Sequence, residues 1–199
     1  FVLVYFCFIF VMNLKNNIKI SLDKFIDKAL YDKSKGYYTN KNPIGHKGDF
    51  ITSPNISVMF SEMITIWLIS FWEKLGYPKK INIIELGAGN GEMMNQILKT
   101  IENFEKFRSS AKFYIHEKSS YLKKIQKNKN KKYKINWIND LNKISKYPSI
   151  FIANEFFDAL PIKQFIKKKN NWFEKFIILK NKKFHLIDIK TNSSNIEKL

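Results

Sequence analysis

The stretch INIIELGAGNG, residues 81–91, determines how the rest of the chain is interpreted. Its first six residues are mostly apolar, which is typical of a buried strand in a parallel sheet. Gly87, Gly89 and Gly91 follow, and from about Glu92 apolar residues recur at helical spacing. Glycines allow a sharp turn close to a ligand, and a helix N-terminus offers unpaired amides to an anionic group. The stretch therefore predicts a strand, a glycine turn and a helix, the layout of a nucleotide-type cofactor site.

The spacing of these glycines distinguishes between cofactors. A dinucleotide site would show G-x-G-x-x-G, whereas this chain has E-x-G-x-G-x-G, with Glu85 two residues before Gly87. The pattern resembles motif I of class I S-adenosylmethionine (SAM) methyltransferases, in which the loop cradles the amino-acid end of SAM. We therefore assign Glu85, Gly87, Gly89 and Gly91 to a SAM site. The alternatives are a tight turn without a ligand and a nicotinamide or flavin site.

The composition is that of a globular protein with a large excess of positive charge. The chain has 199 residues, of which 45% are hydrophobic, and a formal net charge of +18. This length predicts a single domain. The charge suggests nucleic-acid binding, but every basic residue except Arg108 is a lysine, and the lysines are spread along the chain. Recognition of phosphates and bases would use arginine as well, so nucleic-acid binding is the weaker interpretation.

Cysteine, histidine and the N-terminal residues exclude several classes. Cys7 is the only cysteine, which excludes an internal disulfide and suits a reducing cytoplasm. The three histidines are scattered without ligand spacing, so no metal site is expected. Residues 1–11 are apolar, but a membrane-spanning helix needs about 20 such residues. We expect translation to start at Met12, with residues 1–11 as upstream sequence; a short membrane anchor is the alternative.

Residues 12–78 are expected to form an N-terminal helical and loop extension. An apolar face that begins at Leu22 predicts a helix ended by Gly36. Residues 36–57 are rich in Gly, Pro and Asn and predict a long loop, and loops of this length are usually functional or disordered. The next helix, over about 55–75, is apolar on most faces and is expected to be buried.

Strands and helices alternate after the glycine loop. Strands are predicted over 112–117, 134–139 and 149–157, with a short helix to about Gln126 after the first of them. This alternation implies a parallel sheet with helices on both faces. The predicted fold class is therefore α/β, of the class I SAM-methyltransferase (Rossmann-like) type. Ligands of such sheets bind beyond the carboxyl ends of the strands.

Polar residues at these strand ends are candidates for cofactor contacts. Glu117 closes the second strand, somewhat more than about 20 residues past the glycine loop, where an acid hydrogen-bonds ribose hydroxyls; an exposed strand-end glutamate is the alternative. Asn139 and Asp140 follow the third strand, where the adenine amino group is usually contacted. Asn154 lies at the polar end of the fourth strand and completes the predicted set.

The stretch NEFFDALP, residues 154–161, identifies a family. Together with GYY (36–38), PIGHKGDFITSP (43–54) and HEKSSYLKKIQ (116–126), it resembles the MidA-type SAM-dependent methyltransferases. Mitochondrial members of that family are protein arginine methyltransferases that assist assembly of respiratory complex I. The resemblance covers about residues 20–180. It implies SAM as cofactor, a protein substrate such as a complex I subunit, no membrane partner, and a location in the bacterial cytoplasm or the mitochondrial matrix.

The chain departs from this family in length. Family members are much longer, and further strands complete their sheet. After Pro161 this chain offers three more strand-like segments, the last two joined at about Asn181 like a hairpin. The resemblance implies that residues 79–191 form an incomplete, C-terminally truncated SAM-binding domain. Residues 192–199 are expected to be a flexible tail.

The resemblance to arginine methyltransferases directs attention to carboxylates. An arginine is a poor nucleophile when protonated, and carboxylates that grip its guanidinium bidentately can orient the attacking nitrogen. Glu155 and Asp158 are three positions apart, so one helical turn would place them on one face. We assign them to that grip, with Asp49 as a third candidate. The alternative is that Asn154 and Asp158 cap the next turn and Glu155 pairs with a lysine.

Three functions remain open from the sequence. The first is a SAM-dependent protein arginine methyltransferase related to complex I assembly. The second is a catalytically inactive truncated remnant or assembly factor of the same family, and the third is a nucleic-acid methyltransferase. A C-terminal half elsewhere in the genome would favour the enzyme over the remnant.

Overall fold

The structure is a computed structural model that describes residues 18–40, 43–45, 48–181, 183–192 and 196. The predicted leader over residues 1–11 and the start at Met12 lie outside the described residues, as does most of the predicted tail. The α-helices of the described residues are α1 (Leu22–Tyr31), α2 (Tyr37–Asn40), α3 (Ser53–Ile56), α4 (Val58–Lys74), α5 (Glu92–Thr100), α6 (Glu105–Ser110) and α7 (Ser120–Lys129). None of them is long and apolar enough to cross a membrane.

The β-strands divide into a parallel and an antiparallel sheet. The strands of the described residues are β1 (Lys19–Ser21), β2 (Ile81–Leu86), β3 (Ala111–His116), β4 (Ile135–Ile138), β5 (Ser149–Ile152), β6 (Phe165–Lys168), β7 (Asn171–Lys180) and β8 (Lys183–Thr191). The parallel sheet has the order β4-β3-β2-β5, with the strand before the glycine loop in an interior position. The predicted parallel α/β sheet is confirmed.

The fourth predicted strand is shorter than expected. It was predicted over residues 149–157, but β5 ends at Ile152. Glu155 has a φ angle of 51°, in the left-handed region, which is incompatible with an extended strand. The polar end of this segment therefore belongs to the connection that follows β5.

The compact units of the chain differ from the predicted domains. The described residues up to Asn40 and those from Asp158 onward form one unit, and the described residues between them form the other. This division crosses the expected boundary between residues 12–78 and 79–191. The segments after Pro161, expected to extend the SAM-binding domain, instead join the N-terminal residues.

The first unit is built around the antiparallel strand β7. β8 pairs with it along its length, and β6 and β1 pair with its other edge. The predicted hairpin near Asn181 is confirmed as the β7–β8 pair, and Asn181 has a φ angle of 49°. α1 packs Leu22 and Phe25 against Ile177 of β7. The apolar face predicted for this helix therefore forms the core of its unit.

Helix α1 ends earlier than predicted. It was expected to run to Gly36, but its last residue is Tyr31. The Asp32 side-chain oxygen Oδ1 accepts hydrogen bonds from the amides of Ser34 and Lys35, at 2.9 and 3.0 Å. Such local bonding offers the backbone an alternative to the helix, so the helix stops at this aspartate.

The second unit has its core on one face of the parallel sheet. Ile81 and Ile83 of β2 pack into an apolar cluster that residues of α4 and α5 also form. Ile84 points to the opposite face and packs with Tyr114 and Ile138, and within the described residues no helical residue belongs to this smaller cluster. Helices were expected on both faces, whereas the described helices that join a sheet cluster do so on one.

The helix predicted over residues 55–75 was expected to be buried, and this prediction is wrong in two respects. Ser57 is extended, with φ −141° and ψ 127°, and separates α3 from α4. In addition, α4 buries only one side, with Leu68 and Trp72 in the core, while Met59 and Met63 are 66% and 62% exposed. An apolar composition on most faces does not reveal which face meets the sheet.

Substitutions on the two sides of α4 test this orientation. Leu68 is fully buried and Met63 is 62% exposed, so Leu68→Ala should lower the free energy of unfolding by about 2–5 kcal/mol. Met63→Ala removes a side chain of similar size and should change it by less than about 0.5 kcal/mol. Urea denaturation of both variants measures the difference, and equal losses would contradict the assigned face.

Candidate functional site

The glycine loop connects β2 to α5 through three left-handed residues. Gly87, Gly89 and Gly91 have φ angles of 66°, 53° and 78°, a region in which glycine lacks the steric penalty of other residues. The Gly91 amide donates to the Ala88 carbonyl at 2.7 Å, and α5 begins directly afterwards at Glu92. The predicted strand, glycine turn and helix are confirmed. The start of α5 lies at the carboxyl end of β2, where the Glu92 amide donates to Asn90 Oδ1 at 3.2 Å and the Met94 amide donates to Glu85.

Two apolar side chains pack directly on this loop. A Cβ atom on Gly89 would lie 2.6 Å from the Cδ1 atom of Ile44, and one on Gly87 would lie 2.6 Å from Cδ2 of Phe156. Asn55 adds a polar contact, accepting from the Asn90 side-chain amide at 2.7 Å. The glycine loop is thus contacted by a residue of PIGHKGDFITSP, Ile44, and by a residue of NEFFDALP, Phe156. The sequence linked these two stretches only through a family resemblance.

Glu85 is buried beneath the loop. Its side chain is 3% exposed, and its Oε2 atom has no hydrogen-bond partner among the described residues. Burial, together with the nearby negative charge of Glu117, raises the pKa of Glu85 to about 8, against the opposing effect of a hydrogen bond from the Met94 amide. The carboxyl group is therefore mostly protonated at neutral pH, which reduces the cost of burying it.

Glu117 lies directly after β3, at the carboxyl edge of the sheet. It is 6% exposed. Its Oε1 atom accepts from the Ser119 amide at 2.8 Å, and its Oε2 atom accepts from Gln126 Nε2 at 2.9 Å. Burial raises the pKa of Glu117, and these two hydrogen bonds act in the opposite direction. Each carboxylate oxygen retains further acceptor capacity, which is what a pair of ribose hydroxyls requires.

The residues proposed to contact adenine are exposed and follow β4. Asn139 Oδ1 accepts a hydrogen bond from Lys123 Nζ. Asp140 Oδ1 accepts from the Asn142 amide at 2.9 Å, so its side chain caps the short turn that begins at Leu141. These bonds engage only one of the Asp140 side-chain oxygens, and both Asn139 and Asp140 stay predictions as cofactor contacts.

The carboxylates proposed to grip a substrate guanidinium are all exposed. Glu155, at positive φ, and Asn154 precede a 3-10 turn over Phe157–Ala159, so Glu155 and Asp158 do not share the helical turn expected for them. They also belong to different compact units. Asp49 is exposed in the loop between Gly48 and Phe50.

Sequence reasoning missed a buried polar network formed by α7 and Asn130, the residue directly after it. Gln126 and Asn130 are both fully buried. The Asn130 side-chain nitrogen Nδ2 donates to the Gly91 carbonyl at 3.3 Å, and its side-chain oxygen Oδ1 accepts from Asn95 Nδ2 at 3.2 Å. The signal was present in the helical spacing, because Leu122, Gln126 and Asn130 are four residues apart and lie on one face. That face was overlooked because two of its three side chains are polar.

The described residues fit the amino-acid and ribose parts of SAM and provide no evident metal site. Among them, no group of three or more His, Cys, Asp or Glu residues is placed to hold a metal ion. Three left-handed glycines, the start of a nine-residue helix and a buried acid at the next strand end lie in one unit. This combination defines an α/β protein of the class I methyltransferase type.

Comparison with known proteins gives the family. The family model described as "Putative S-adenosyl-L-methionine-dependent methyltransferase" matches residues 63–199. The chain belongs to this family, which confirms the membership and the cofactor predicted from the sequence.

The curated relatives are protein arginine methyltransferases by name. The protein named "Protein arginine methyltransferase NDUFAF7, mitochondrial" of Xenopus laevis is 32% identical, and the match covers 84% of this chain and 44% of the relative. The protein of the same name from Homo sapiens is 31% identical over 82% of this chain and 43% of its own length. The chain thus spans less than half the length of the curated relatives it matches.

Solved structures share the fold. A crystal structure of a protein from Burkholderia thailandensis, bound to S-adenosyl-homocysteine, superposes with a TM-score of 0.74 at 18% identity, covering 90% of this chain and 48% of that chain. A native crystal structure from the same organism gives a TM-score of 0.69 at 19% identity, covering 89% and 46%.

The buried acid Glu85 predicts a pH-dependent stability. Its pKa of about 8 in the folded chain exceeds the ordinary value of 4.5, so the folded state keeps a proton that the unfolded state releases. The free energy of unfolding should therefore fall as pH rises from about 5 to 8. Glu117, whose pKa is also raised, adds to this decline.

Glu85→Gln should reduce this decline, as measured by denaturant unfolding at several pH values. Glu102→Gln is the control, because Glu102 is bonded to Lys132 and Tyr133 and its pKa is lowered. A Glu85→Gln variant whose stability falls with pH as steeply as that of the unmodified protein would contradict the assigned burial.

The contact between Ile44 and the glycine loop predicts that alanine at Gly89 lowers the free energy of unfolding more than alanine at Gly76. Gly89→Ala combines positive φ with a clash against Ile44, whereas Gly76→Ala has positive φ and nothing within 4 Å of the new Cβ. Gly76→Ala should cost about 1–2 kcal/mol in unfolding free energy, and Gly89→Ala should cost more. Introducing each glycine change into an Ile44→Ala background should abolish the difference; its persistence would contradict the Ile44 contact.

Proposed function

We propose that this protein is a SAM-dependent methyltransferase that acts on an arginine side chain of another protein. The observation that carries the proposal is the joint burial of Glu85 and Glu117 beside a left-handed glycine loop at the carboxyl edge of a parallel sheet. Acids with perturbed pKa values are concentrated at functional sites. Family membership and the names of the arginine methyltransferase relatives support the same conclusion.

Each part of the proposed site has a separate task. The amides between Gly87 and Gly91, with the positive end of α5, would hold the carboxylate of the amino-acid end. The Gly87 and Gly91 amides themselves donate to the His116 and Ala88 carbonyls. Glu117 would accept hydrogen bonds from the ribose hydroxyls, and Asn139 and Asn154 would complete the cofactor contacts. When bound, SAM supplies an electrophilic methyl group on a sulfonium centre.

The substrate side of the site consists of exposed carboxylates. Glu155 would orient an arginine guanidinium through charge-assisted hydrogen bonds and hold the developing positive charge. Asp49, in the same compact unit as Glu155, is the further carboxylate that we assign to this task, and Asp158, which belongs to the other unit, stays a prediction. We propose a protein substrate, with a respiratory complex I subunit as the specific case, and a location in the mitochondrial matrix of a eukaryote or the cytoplasm of a bacterium.

A SAM-binding assembly factor without transfer activity is the second candidate. It is favoured by the placement of Glu155 and Asp158, which occupy different compact units and no common helical turn. The two candidates agree on cofactor binding and differ in methyl transfer, so separate experiments are needed for each step.

Cofactor binding is tested by isothermal titration of the chain with SAM. Glu117→Ala removes a charged acceptor and should weaken binding by about 1.5–3 kcal/mol, or roughly 10- to 100-fold. Glu102→Ala, an exposed glutamate outside the proposed site, should leave the affinity unchanged. Failure of the unmodified chain to bind SAM would contradict the proposed function, and an unchanged affinity of Glu117→Ala would place the ribose contact elsewhere.

Methyl transfer is tested with radiolabelled SAM and a protein lysate, followed by amino-acid analysis for methylarginine. Glu155→Gln keeps the size of the side chain and should retain SAM affinity while the transfer rate falls at least tenfold. Label in arginine that depends on Glu155 supports the enzyme, whereas SAM binding without label supports the assembly factor.

A further inference from the structure

The proposed function leaves unexplained why a glutamine is fully buried at the centre of the site. Gln126 lies on α7 and is 0% exposed. Its Nε2 atom donates to the Gly89 carbonyl at 2.9 Å and to Glu117 Oε2 at 2.9 Å. Its Oε1 atom accepts from Trp137 Nε1 at 3.1 Å. Both amide hydrogens and the amide oxygen are therefore engaged.

The partners fix the orientation of this amide. A tryptophan Nε1 can only donate and a backbone carbonyl can only accept. Trp137 must therefore face the Gln126 oxygen, and Gly89 must face its nitrogen. The nitrogen then has one hydrogen left, and it points at Glu117. If the amide were flipped, its NH2 group would face the Trp137 N–H, which is also a donor, and its oxygen would face the Gly89 carbonyl, which is also an acceptor.

Gln126 connects the two halves of the proposed cofactor site. Gly89 belongs to the loop assigned to the amino-acid end, and Glu117 is the acid assigned to the ribose. The two reside on connections after different strands, β2 and β3, and one side-chain amide bonds to both. Gln126 also packs beneath the loop, since its Cγ atom would lie 3.2 Å from a Cβ placed on Gly91.

We propose that Gln126 is a positioning residue for SAM, which sets the spacing between the glycine loop and Glu117. This proposal rests on the proposed function, because the spacing between the glycine loop and Glu117 matters only if both bind the same ligand. Trp137 holds the Gln126 amide in place by donating a hydrogen bond to its Oε1 atom. Gln126 does not touch the reacting atoms in this account; it acts through the two groups to which it donates.

A purely structural role for Gln126 would lower stability without changing how SAM affinity depends on pH. The positioning role has a pH signature, because Gln126 donates to a titratable acid. The other charged groups close to Glu117 are Glu85 on β2 and Lys123 on α7, and Lys127 lies over the Trp137 ring at 5.5 Å. They are the same in every variant compared below.

Two substitutions of Gln126 are expected to make SAM affinity change with pH in opposite directions. Gln126→Leu removes the donor, which leaves the Glu117 carboxylate harder to ionise, so SAM affinity should fall at least tenfold at pH 7 and recover as pH rises. Gln126→Glu keeps the shape; its protonated form has one O–H, with which it can still donate to Glu117, and its ionised form repels Glu117. Its affinity should therefore be highest at low pH and fall as pH rises.

The experiment is isothermal titration of the full chain with SAM between pH 5.5 and 8.5, with circular dichroism to confirm folding of each variant. Gln96→Leu is the matched control: Gln96 donates to Glu92 at 2.7 Å within α5, whereas Gln126 donates to Gly89 and Glu117. It should bind like the unmodified protein at every pH. If Gln126→Leu fails to fold, the falling affinity of Gln126→Glu with pH carries the test.

The outcomes separate this inference from the proposed function. Opposite pH slopes for the two Gln126 variants support the positioning role. SAM binding that Glu117→Ala weakens but both Gln126 variants leave unchanged at every pH overturns the inference alone. Parallel pH slopes in both variants also overturn it. No SAM binding by the unmodified protein contradicts the proposed function and this inference together.

Discussion

The burial of two neighbouring carboxyl groups beneath the glycine loop is the constraint on which the site depends. Removing a charged carboxylate from water is costly unless the group is neutralised or hydrogen-bonded. Glu85 meets this condition by keeping its proton, since its pKa is raised to about 8. Glu117 meets it through donors, the Ser119 amide and the Gln126 side chain. A fold that needed only stability would place apolar residues in both positions.

The surrounding elements hold these acids in place by two different means. On the apolar side, β2 packs Ile81 and Ile83 against α4 and α5, which fixes the strand that carries Glu85. On the polar side, α7 contributes a buried amide network that reaches the glycine loop. The site therefore lies between an apolar core and a polar network, and residues of both meet at the carboxyl edge of the parallel sheet.

The sequence predicted the parts of this site that depend on local pattern. The run over residues 81–91 switches from a strand to a glycine turn and then to helical spacing, and all three elements form as predicted. Glu117 could be placed because an acid after the second strand follows from the topology of such sheets. Its bond to Gln126 was not predicted, because the orientation of the Gln126 amide depends on Gly89 and Trp137, which lie in other segments of the chain.

Two of the failed predictions share a physical cause, because they depended on contacts between distant segments. The helix α4 is apolar on most faces, so only packing against the sheet decides that Leu68 is buried and Met63 exposed. Likewise, β1 pairs Lys19 with Ile178, a contact that no local pattern encodes. This pairing joins the two ends of the chain in one antiparallel sheet, which the predicted domain boundaries did not anticipate.

The most direct test of the account is a crystal structure of the chain with S-adenosyl-homocysteine. The account predicts that the ribose hydroxyls lie within hydrogen-bond distance of the Glu117 carboxylate and that the amino-acid end contacts the amides between Gly87 and Gly91. Gln126 should still donate to both Gly89 and Glu117. A ligand bound elsewhere, or a Glu117 carboxylate that contacts no ligand atom, would contradict it.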